Sequence, residues 1–529
     1  MPAERYIKVI IPLKLDWEPF YRLDEDEDAA VGDRLTVPFA GRSYIGVVSE
    51  VDAALPRSVS PASVKGIYRV HPEYGRISAL QLRLWREVAD YYMCTVGEVY
   101  KMAYPVSKNV NTAFPEASEF APRPRRKPLY TAGDGDFVAD MAKVIRREGG
   151  NALWLVPEVK AVKALEKRLR DEFGDSLIVW RSTMTPARTR EAVDAIRSGK
   201  PYVLLGPRSA LFLPLGNLGT VIVQDEQDAA HKQLSPSPRY NARDVALLLC
   251  SLCGAQAVLQ SAVPSLETLH NCGTGKYERL PLKRIPLEVK CNVLDINAEA
   301  RKRGMDGDIP RCLCASLGVA DTIFYKPSRA AFPTMEQLEP QIKAAFGPDA
   351  FLCDSPLDFP RGRRNLVVFG SDALLGRSDF RADEKMYQIV LKALDAMSGA
   401  DGSVPLSLTL TTREPSHPVF SALRAADPSY LLEERRGFLY PPYTRLVDIL
   451  VHDSIPERAS RCLAALSRSI SDAIPQSRCI PSVFMDRLRL QLPRDAALKN
   501  TKKAVKEIVA RYESEKGYYS HISFDVDPL

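Results

Sequence analysis

Short apolar runs that alternate with stretches of helical spacing fill the middle of the chain. The runs are Ala152 to Val156, Leu177 to Trp180, Tyr202 to Leu205, Thr220 to Val223 and Ala257 to Leu259. Between the first two, apolar residues recur every three or four positions over 159–173, as on one face of a helix. Strict alternation of strands with helices is typical of a mostly parallel sheet covered by helices. We therefore predict an α/β fold built on such a sheet.

Length and composition limit the class of protein. The chain has 529 residues, enough for three or four domains, and its 45% hydrophobic and 26% charged residues exclude disorder as the main state. Lys and Arg exceed Asp and Glu by only 72 − 66 = 6, so any nucleic-acid site must be a local patch. Because the chain has no membrane-length apolar stretch and no secretory signal, we expect a soluble cytoplasmic protein without a membrane partner. Its cysteines are then expected to be reduced.

Changes in pattern divide the chain into five predicted parts. They are residues 1–106, a β-rich domain that ends in a helix; 107–127, a polar linker; 128–285, the α/β part described above; 286–415, a second, reduced α/β part; and 416–529, an α+β domain. In the first part, Ser78 and Gln81 predict a helix that begins with a capping box. In the last, the order strand, helix, strand, strand, helix, strand is that of a ferredoxin-like module.

The strand Val221 to Val223 is followed by the carboxylates of Asp225 and Glu226. In enzymes that act on phosphates, an acidic pair at the carboxyl end of a strand holds Mg²⁺ and orients the attacking water. Such residues also cap helices, so the pair alone does not indicate catalysis.

The surrounding motifs are more specific. They are Gly206 to Pro214, Asn217 to Gly219, Asp225 to Asp228, His231 to Gln233, Pro238 to Ala246 and Ser261 to Glu267. In this order they resemble the first helicase lobe of the PriA family of primosomal replication-restart proteins. Other motifs resemble the N-terminal DNA-binding and C-terminal domains of that family: Val37 to Phe39, Ala89 to Tyr92, Gly97 to Lys101, Glu433 to Arg436, Tyr440 to Tyr443 and Ser523 to Pro528. The resemblance implies two helicase-type (RecA-like) lobes between a domain that binds 3′ DNA ends and an α+β domain.

The segment that should hold the phosphate loop of the family departs from its pattern. Over 129–137 the chain has two glycines, Gly133 and Gly135, but lacks the Lys and Thr that bind the triphosphate and Mg²⁺. Asp134 and Asp136 would repel the nucleotide, since two like charges ~4 Å apart cost about 4 kcal/mol at an effective dielectric of about 20. We interpret the two glycines as vestiges of a nucleotide-binding loop.

Other departures also indicate a lost motor. The box Asp225 to Asp228 lacks its final His, and 389–397 lacks the Gly-Arg pairs of the arginine finger that follow the match at Asp379 to Glu384. We therefore interpret Asp225 and Glu226 as vestigial. The near cysteine pairs, Cys250 with Cys253 and Cys312 with Cys314, differ from the zinc-binding pairs of the family. The binding sites for ATP, Mg²⁺ and structural zinc are thus expected to be lost in this chain.

The resemblance implies a pocket for the 3′ end of DNA. Its matching positions are an aromatic residue, Trp17; an acid, Glu18; a loop glycine, Gly41; and a lysine, Lys65. Such residues stack a base, accept from a sugar or base and pair with phosphate. A half-buried surface aromatic would explain Trp17 equally well. Basic residues that could follow DNA, or simply be solvated, are Arg42, Lys101, Arg123, Arg125, Arg126, Lys127, Arg361, Arg363 and Arg364.

These observations predict a reduced PriA-like protein that binds stalled or abandoned forks and promotes primosome assembly and helicase loading, without a motor. The resemblance implies as partners forked DNA with a 3′ end, single-stranded DNA-binding protein, and primosome and helicase-loading proteins. The alternative is an active ATP-dependent 3′→5′ DNA helicase, in which Asp225 and Glu226 hold Mg²⁺ and an irregular loop binds phosphate through its backbone. A decayed paralogue without a role is a third alternative.

Overall fold

The computed structural model describes most of the chain. It covers residues 5–24, 27–103, 123–132, 137–157, 159–280, 289–328, 331–360, 362–375, 379–397, 406–481, 487–516 and 522–529. Within these residues no helix is both long and apolar enough to cross a bilayer.

The N-terminal domain is an antiparallel sheet followed by two helices. Its elements are β1 (Arg5–Ile10), β2 (Phe20–Leu23), β3 (Arg34–Phe39), β4 (Arg42–Glu50), β5 (Arg69–Val70), α1 (Ala79–Tyr92) and α2 (Val96–Met102), with the strands in the order β2-β1-β4-β3-β5. The predicted capping box is confirmed: Gln81 N donates to Ser78 Oγ and Ser78 N donates to Gln81 Oε1, both at 3.2 Å. The apolar face of α1 is buried beside the sheet.

Lobe 1 contains the predicted parallel sheet. Its elements are β6 (Leu129–Thr131), α3 (Phe137–Glu148), β7 (Asn151–Leu155), α4 (Val159–Phe173), β8 (Leu177–Val179), α5 (Pro186–Arg197), β9 (Val203–Gly206), β10 (Leu218–Gln224), α6 (Ala242–Cys253), β11 (Gln256–Gln260), α7 (Leu266–Gly273) and β12 (Glu278–Arg279). The strands are all parallel, in the order β12-β6-β11-β10-β7-β9-β8. The central strands are buried on both faces, which explains their continuous apolar runs.

Lobe 2 is a smaller parallel sheet. Its elements are β13 (Val289–Asp295), α8 (Ile296–Lys302), the hairpin β14 (Met305–Asp306) and β15 (Ile309–Pro310), α9 (Arg311–Ser316), β16 (Thr322–Tyr325), α10 (Met335–Phe346), β17 (Phe351–Cys353), β18 (Asn365–Val368), α11 (Asp372–Leu375), α12 (Ala382–Met397) and β19 (Leu406–Thr412). The sheet order is β13-β19-β18-β16-β17. Two further helices, α13 (Pro418–Ala425) and α14 (Ser429–Gly437), bury residues in its core, so by packing they go with lobe 2. The five-part division of the chain itself stays a prediction.

The C-terminal domain has the predicted βαββαβ order. Its elements are β20 (Thr444–Val451), α15 (Pro456–Ala473), β21 (Arg478–Pro481), β22 (Arg487–Pro493), α16 (Leu498–Lys516) and β23 (Ile522–Val526). The antiparallel order β21-β22-β20-β23 is that of a ferredoxin-like sheet. The predicted fold class, two parallel-sheet lobes between a β-rich and an α+β domain, is confirmed.

One hydrophobic core joins three of these domains. Buried side chains of α1 such as Trp85, of lobe 1 such as Leu211, and of the C-terminal sheet such as Val447 belong to one continuous cluster. Separate hydrophobic clusters lie on the other face of the lobe 1 sheet, in the N-terminal sheet and on each face of the lobe 2 sheet. The shared core therefore fixes the N-terminal helices and the C-terminal domain against lobe 1.

Candidate DNA-end site and acidic box

A two-residue hairpin turn presents Gly41 and Arg42 at the edge of the N-terminal sheet. Phe39 and Arg42 pair across β3 and β4, while Ala40 and Gly41 between them have φ of 46° and 75°. Two successive positive φ angles are the signature of the turn that matches strand twist, and glycine adopts them without strain. A Cβ on Gly41 would meet no atom within 4 Å, so the tip of the turn is open.

The predicted aromatic residue lies beside this hairpin. The Trp17 side chain is 58% exposed, and its ring centre is 6.2 Å from that of Phe39. Lys65 is exposed on a loop beside β2, where its carbonyl accepts a 2.9 Å hydrogen bond from Arg22 N. The fold thus brings Trp17 to the turn that holds Gly41 and Arg42, whereas Lys65 lies on the loop beside β2.

Glu18 has partners inside the protein. Its carboxylate accepts a hydrogen bond from Ser49 Oγ on β4 and lies 3.6 Å from Arg86 Nη2 on α1. It therefore links the sheet to the first helix, a contact that the sequence did not indicate.

The acidic box begins with a tight turn at the carboxyl end of β10. Asp225 has a left-handed φ of 50°, which Asp tolerates better than most residues. Its backbone N–H donates to Gln260 Oε1 at 3.1 Å, and that of Glu226 donates to the Gln260 carbonyl at 3.0 Å. These bonds from β11 turn the Glu226 side chain inward.

Protein donors occupy both carboxylate oxygens of Glu226. Oε2 lies 3.0 Å from Arg243 Nη1 and accepts from Ser265 Oγ at 3.0 Å, while Oε1 accepts from Ser265 N at 2.7 Å. The side chain has no exposed surface. Sequence reasoning missed Arg243, although it lies in the motif Pro238 to Ala246.

The other carboxylates of the box face an ammonium from lobe 2. Lys392 Nζ on α12 lies 3.6 Å from Asp225 Oδ1 and 3.5 Å from Asp228 Oδ2. Burial by itself lowers the pKa of Lys392, but the two carboxylates outweigh it and raise the pKa. Lys392 is the second functional residue that the sequence did not reveal, because its partners are more than 160 positions away.

As arranged here, the box does not fit a divalent cation. A Mg²⁺ ion needs carboxylate oxygens free of other cations, whereas Arg243 and Lys392 already neutralise this group. Gly133 and Gly135 lie outside the described residues. The helix that follows them, α3, begins with the buried Phe137, whose ring packs edge-on against Trp154 at 5.4 Å.

Motifs of both lobes meet next to the box. Arg381 Nη2 lies 2.9 Å from Glu267 Oε1 and Arg381 Nη1 lies 3.4 Å from Glu384 Oε2, which Arg435 Nη2 also approaches to 2.8 Å. Burial by itself would raise the pKa of Glu267, but Arg381, Arg243 and Arg435 hold it well below its usual value. These motif residues thus form a joint between lobes.

A cavity of about 570 Å³ lies where lobe 1, lobe 2 and the C-terminal domain meet. Its walls include Glu226, Arg243, Glu267, Lys392 and Arg445. Its volume is in the range of roughly 300–1,000 Å³ that small-molecule sites have. Side chains of both signs of charge line it.

His231 and Lys232, which follow the box by a few positions, are both buried. His231 Nε2 donates to the Gln224 carbonyl at 2.9 Å, and burial lowers its pKa. Lys232 Nζ donates to the Val526 carbonyl at 2.6 Å and lies 2.7 Å from Asp525 Oδ1. Lys232 therefore ties lobe 1 to the C-terminal domain.

Several predicted DNA-contact arginines have structural partners. Arg123 donates to the Glu148 carbonyl at 2.8 Å, and its own carbonyl would clash at 2.1 Å with a Cβ on Gly254. Arg125 donates a hydrogen bond to Ser251 Oγ, and Arg126 donates one to the carboxylate of Glu148. In lobe 2, Arg363 donates to Val319 and Arg364 pairs with Asp321, both at 2.8 Å, whereas Arg361 lies outside the described residues. Lys101 is exposed, and Lys127 has a 3.9 Å ion pair with Glu278. The 123–126 stretch is therefore packed along lobe 1.

The cysteine pairs lie on helices. Cys250 and Cys253 are on α6, where burial raises the pKa of both thiols, and Cys312 and Cys314 are on α9. Within the part of the chain that the structure describes, no group of three or more His, Cys, Asp or Glu side chains is arranged to hold a metal ion.

Comparison with known proteins supports the resemblance. Residues 8–105 match the family model of the 3′ DNA-binding domain (3′BD) of PriA. The replication restart protein PriA of Rickettsia conorii is 29% identical over 304 residues, which are 53% of this chain and 46% of that protein. The chain is similar to PriA proteins over about half of its length. PriA of Treponema pallidum is 26% identical over 328 residues, which are 56% of this chain and 50% of that protein. PriA of Haemophilus influenzae is 33% identical over 153 residues, which are 29% of this chain and 21% of that protein.

The chain spans about half the length of the curated PriA proteins it matches. Its two parallel sheets are the α/β lobes that the sequence predicted, and the predicted resemblance to PriA is confirmed. A structure of RecG bound to a three-way DNA junction aligns with 68% of this chain and 46% of that chain, at 11% identity and a TM-score of 0.36.

Proposed function

We propose that this chain is a PriA-like protein that binds replication forks with a free 3′ DNA end and acts in replication restart as a scaffold, without motor activity of its own. The match of residues 8–105 to the 3′ DNA-binding domain carries the first part. The exposed Trp17 beside the open turn at Gly41 supports it, since an exposed aromatic stacks on a base without first breaking internal contacts. Through the same relationship we propose primosome and helicase-loading proteins, and single-stranded DNA-binding protein, as its partners.

The acidic box supports the absence of a motor. ATP hydrolysis at such a box needs a carboxylate on Mg²⁺ and another group to orient water. Here Glu226 is enclosed by Arg243 and Ser265, and Lys392 lies on Asp225 and Asp228. Reopening the box would break a buried ion pair, which costs roughly 3–5 kcal/mol.

The test measures ATP turnover and fork binding in the same samples of the full chain at fixed salt. We expect saturable binding to a fork with a free 3′ end and no turnover above a buffer control, with or without DNA. DNA-stimulated turnover that Asp225→Ala abolishes would establish the active-helicase alternative instead. Failure to bind any fork would contradict the proposal as a whole.

The DNA-end site is tested by Trp17→Ala and Lys65→Ala. Loss of one stacked base, worth about 1–3 kcal/mol, should weaken binding to forks with a free 3′ end roughly 5- to 160-fold and leave blunt duplex binding unchanged. Tyr68→Ala, which removes another exposed aromatic of the same domain, is the matched control. Equal loss on both DNAs would contradict the assignment. Glu18 is unsuitable because its removal also frees Ser49 and Arg86.

A further inference from the structure

The hairpin turn of the N-terminal domain carries an arginine without a partner. Arg42 is exposed, and within the described part of the chain no hydrogen bond or ion pair engages its guanidinium. Phe39 lies directly opposite Arg42 across β3 and β4, so the two side chains leave the same face of the sheet. The ring centre of Trp17 is 6.2 Å from that of Phe39. An exposed aromatic ring and an unpaired cation thus adjoin the same side chain.

The acid that follows Trp17 in the chain is already engaged. Glu18 accepts a hydrogen bond from Ser49 Oγ and lies 3.6 Å from Arg86 Nη2, and its side chain is only 25% exposed. A 3′ hydroxyl of DNA that donated to this carboxylate would have to compete with both partners. Glu18 is therefore a poor acceptor for the hydroxyl of a terminal sugar.

The acid that precedes Trp17 also has a cation beside it. Asp16 Oδ1 lies 3.9 Å from Lys506 Nζ on α16 of the C-terminal domain. The charges of Glu18 and Asp16 are thus balanced by Arg86 and Lys506. The guanidinium at the tip of the turn is the charge that no neighbour in this group balances.

This arrangement favours a terminal phosphate over a terminal hydroxyl. A hydroxyl needs an acceptor for its proton, whereas a phosphate monoester carries a charge of about −1.5 to −2 at pH 7 and accepts several hydrogen bonds. A guanidinium can bind such a group through two parallel hydrogen bonds. The open space around Gly41 leaves room for it, because a Cβ there would meet no atom within 4 Å.

We propose that the DNA-end site binds strands that end in a 3′ phosphate more tightly than strands that end in a 3′ hydroxyl, and that Arg42 contacts the terminal phosphate. The inference rests on the proposed function, because it concerns the same site. It adds the chemical class of strand end that the site prefers and the residue that selects it. In this role the base stacks on Trp17 while Arg42 pairs with the phosphate that follows the terminal sugar.

The experiment compares three forks that differ only at the free 3′ end, which carries a hydroxyl, a phosphate or, in a dideoxy strand, a hydrogen. Binding of the full chain is measured by fluorescence anisotropy at pH 7 and about 0.15 M NaCl, where exposed charges are partly screened. We expect the 3′-phosphate fork to bind roughly two- to fivefold more tightly than the other two, the size of an exposed ion pair. The hydroxyl and dideoxy forks should bind equally.

Variants assign the preference to one residue. Arg42→Met should abolish it, and Arg42→Lys should keep part of it, because lysine retains the charge but not the paired donors. Arg57→Met is the matched control: it removes an exposed arginine of the same domain that lies beyond the other end of β4, and it should keep the full preference.

The outcomes separate this inference from the proposed function. Tighter binding of the hydroxyl fork than of the dideoxy fork would show that the site recognises the hydroxyl and would overturn the inference. An equal preference for phosphate in Arg42→Met and the parent would overturn it as well. Equal affinity for all three forks would overturn the inference and leave the proposed function intact, whereas no binding to any of them would contradict the proposed function and this inference together.

Discussion

Glu226 illustrates how a single arginine changes the role of a carboxylate. A carboxylate without exposed surface needs hydrogen-bond donors around it, and here Arg243 and Ser265 supply them. The same residue next to a free Asp225 would serve as a metal ligand or a base. In this chain its bonds to α6 and to the start of α7 make it part of the core of lobe 1.

The first prediction concerns the ion pair of Glu226. Arg243→Met should lower the free energy of unfolding by about 3–5 kcal/mol, because it leaves a buried carboxylate with only its Ser265 partners. Urea unfolding followed by tryptophan fluorescence measures the change, since Trp154 and Trp180 lie in lobe 1.

The control for this variant is Arg190→Met, which removes an exposed arginine of α5 and should change stability by less than about 0.5 kcal/mol. Glu226→Gln combined with Arg243→Met should recover part of the loss, because the amide needs no counter-charge. A loss as small as that of the control would show that Glu226 does not depend on Arg243.

At the scale of elements, α12 has a role different from that of the family motif it resembles. The sequence predicted that 389–397 supplies no arginine finger, and the helix instead directs Lys392 at Asp225 and Asp228 of lobe 1. An ammonium on these carboxylates attracts the two lobes without a nucleotide. Since the side chains are about a quarter to a third exposed, the contact contributes only roughly 0–1 kcal/mol.

The second prediction follows from this contact. Lys392→Ala should increase the rate of amide hydrogen exchange several-fold at 225–231 and in the last turns of α12, because the joint opens more often. Lys385→Ala is the control: it lies on the same helix but pairs with Asp379 of its own lobe, so it should leave exchange at 225–231 unchanged. Identical exchange rates in the two variants would contradict the role of Lys392 in holding the two lobes together.

Local patterns predicted the elements well because local forces decide them. The capping box at Ser78, the strand before Asp225 and the βαββαβ order of the C-terminal domain depend on residues a few positions apart. The partners of Glu226 and Asp225 depend on which elements meet in space. For the same reason Arg123 was indistinguishable from a DNA contact.

At the scale of the whole molecule, polar contacts reinforce the core that the N-terminal and C-terminal domains share with lobe 1. Tyr91 of α1 accepts at its hydroxyl from Arg445 Nη1 at 2.7 Å, and Arg445 also pairs with Asp527. Lys502 of α16 donates to the Tyr91 carbonyl at 2.6 Å, and its ammonium lies 5.0 Å from the centre of the Tyr91 ring. The motifs Ala89 to Tyr92 and Ser523 to Pro528 thus hold domains together.

Lys502 gives this junction a dependence on pH. Burial, reinforced by Arg445, lowers the pKa of Lys502 to about 8, although Asp527 and Asp90 act in the opposite direction. The unfolded chain, with the ordinary value of 10.5, therefore binds more protons between pH 8 and 10.5, and stability rises with pH in that window. Below pH 8 Lys502 is protonated in both the folded and the unfolded state, so the full cost of burying its charge is present.

The third prediction uses this sign. The free energy of unfolding of the parent minus that of Lys502→Met should be constant below pH 8 and rise by roughly 3 kcal/mol toward pH 10.5, since each unit of pKa difference is worth about 1.4 kcal/mol. Subtracting the variant removes every group that titrates equally in both chains. Lys503→Met, which removes an exposed lysine of the same helix that pairs with Glu507, should give a difference that does not vary over this range. If the free energies of unfolding of the parent and of Lys502→Met instead change with pH in parallel up to pH 10, Lys502 stays charged at the junction because Asp527 and Asp90 stabilise its ammonium.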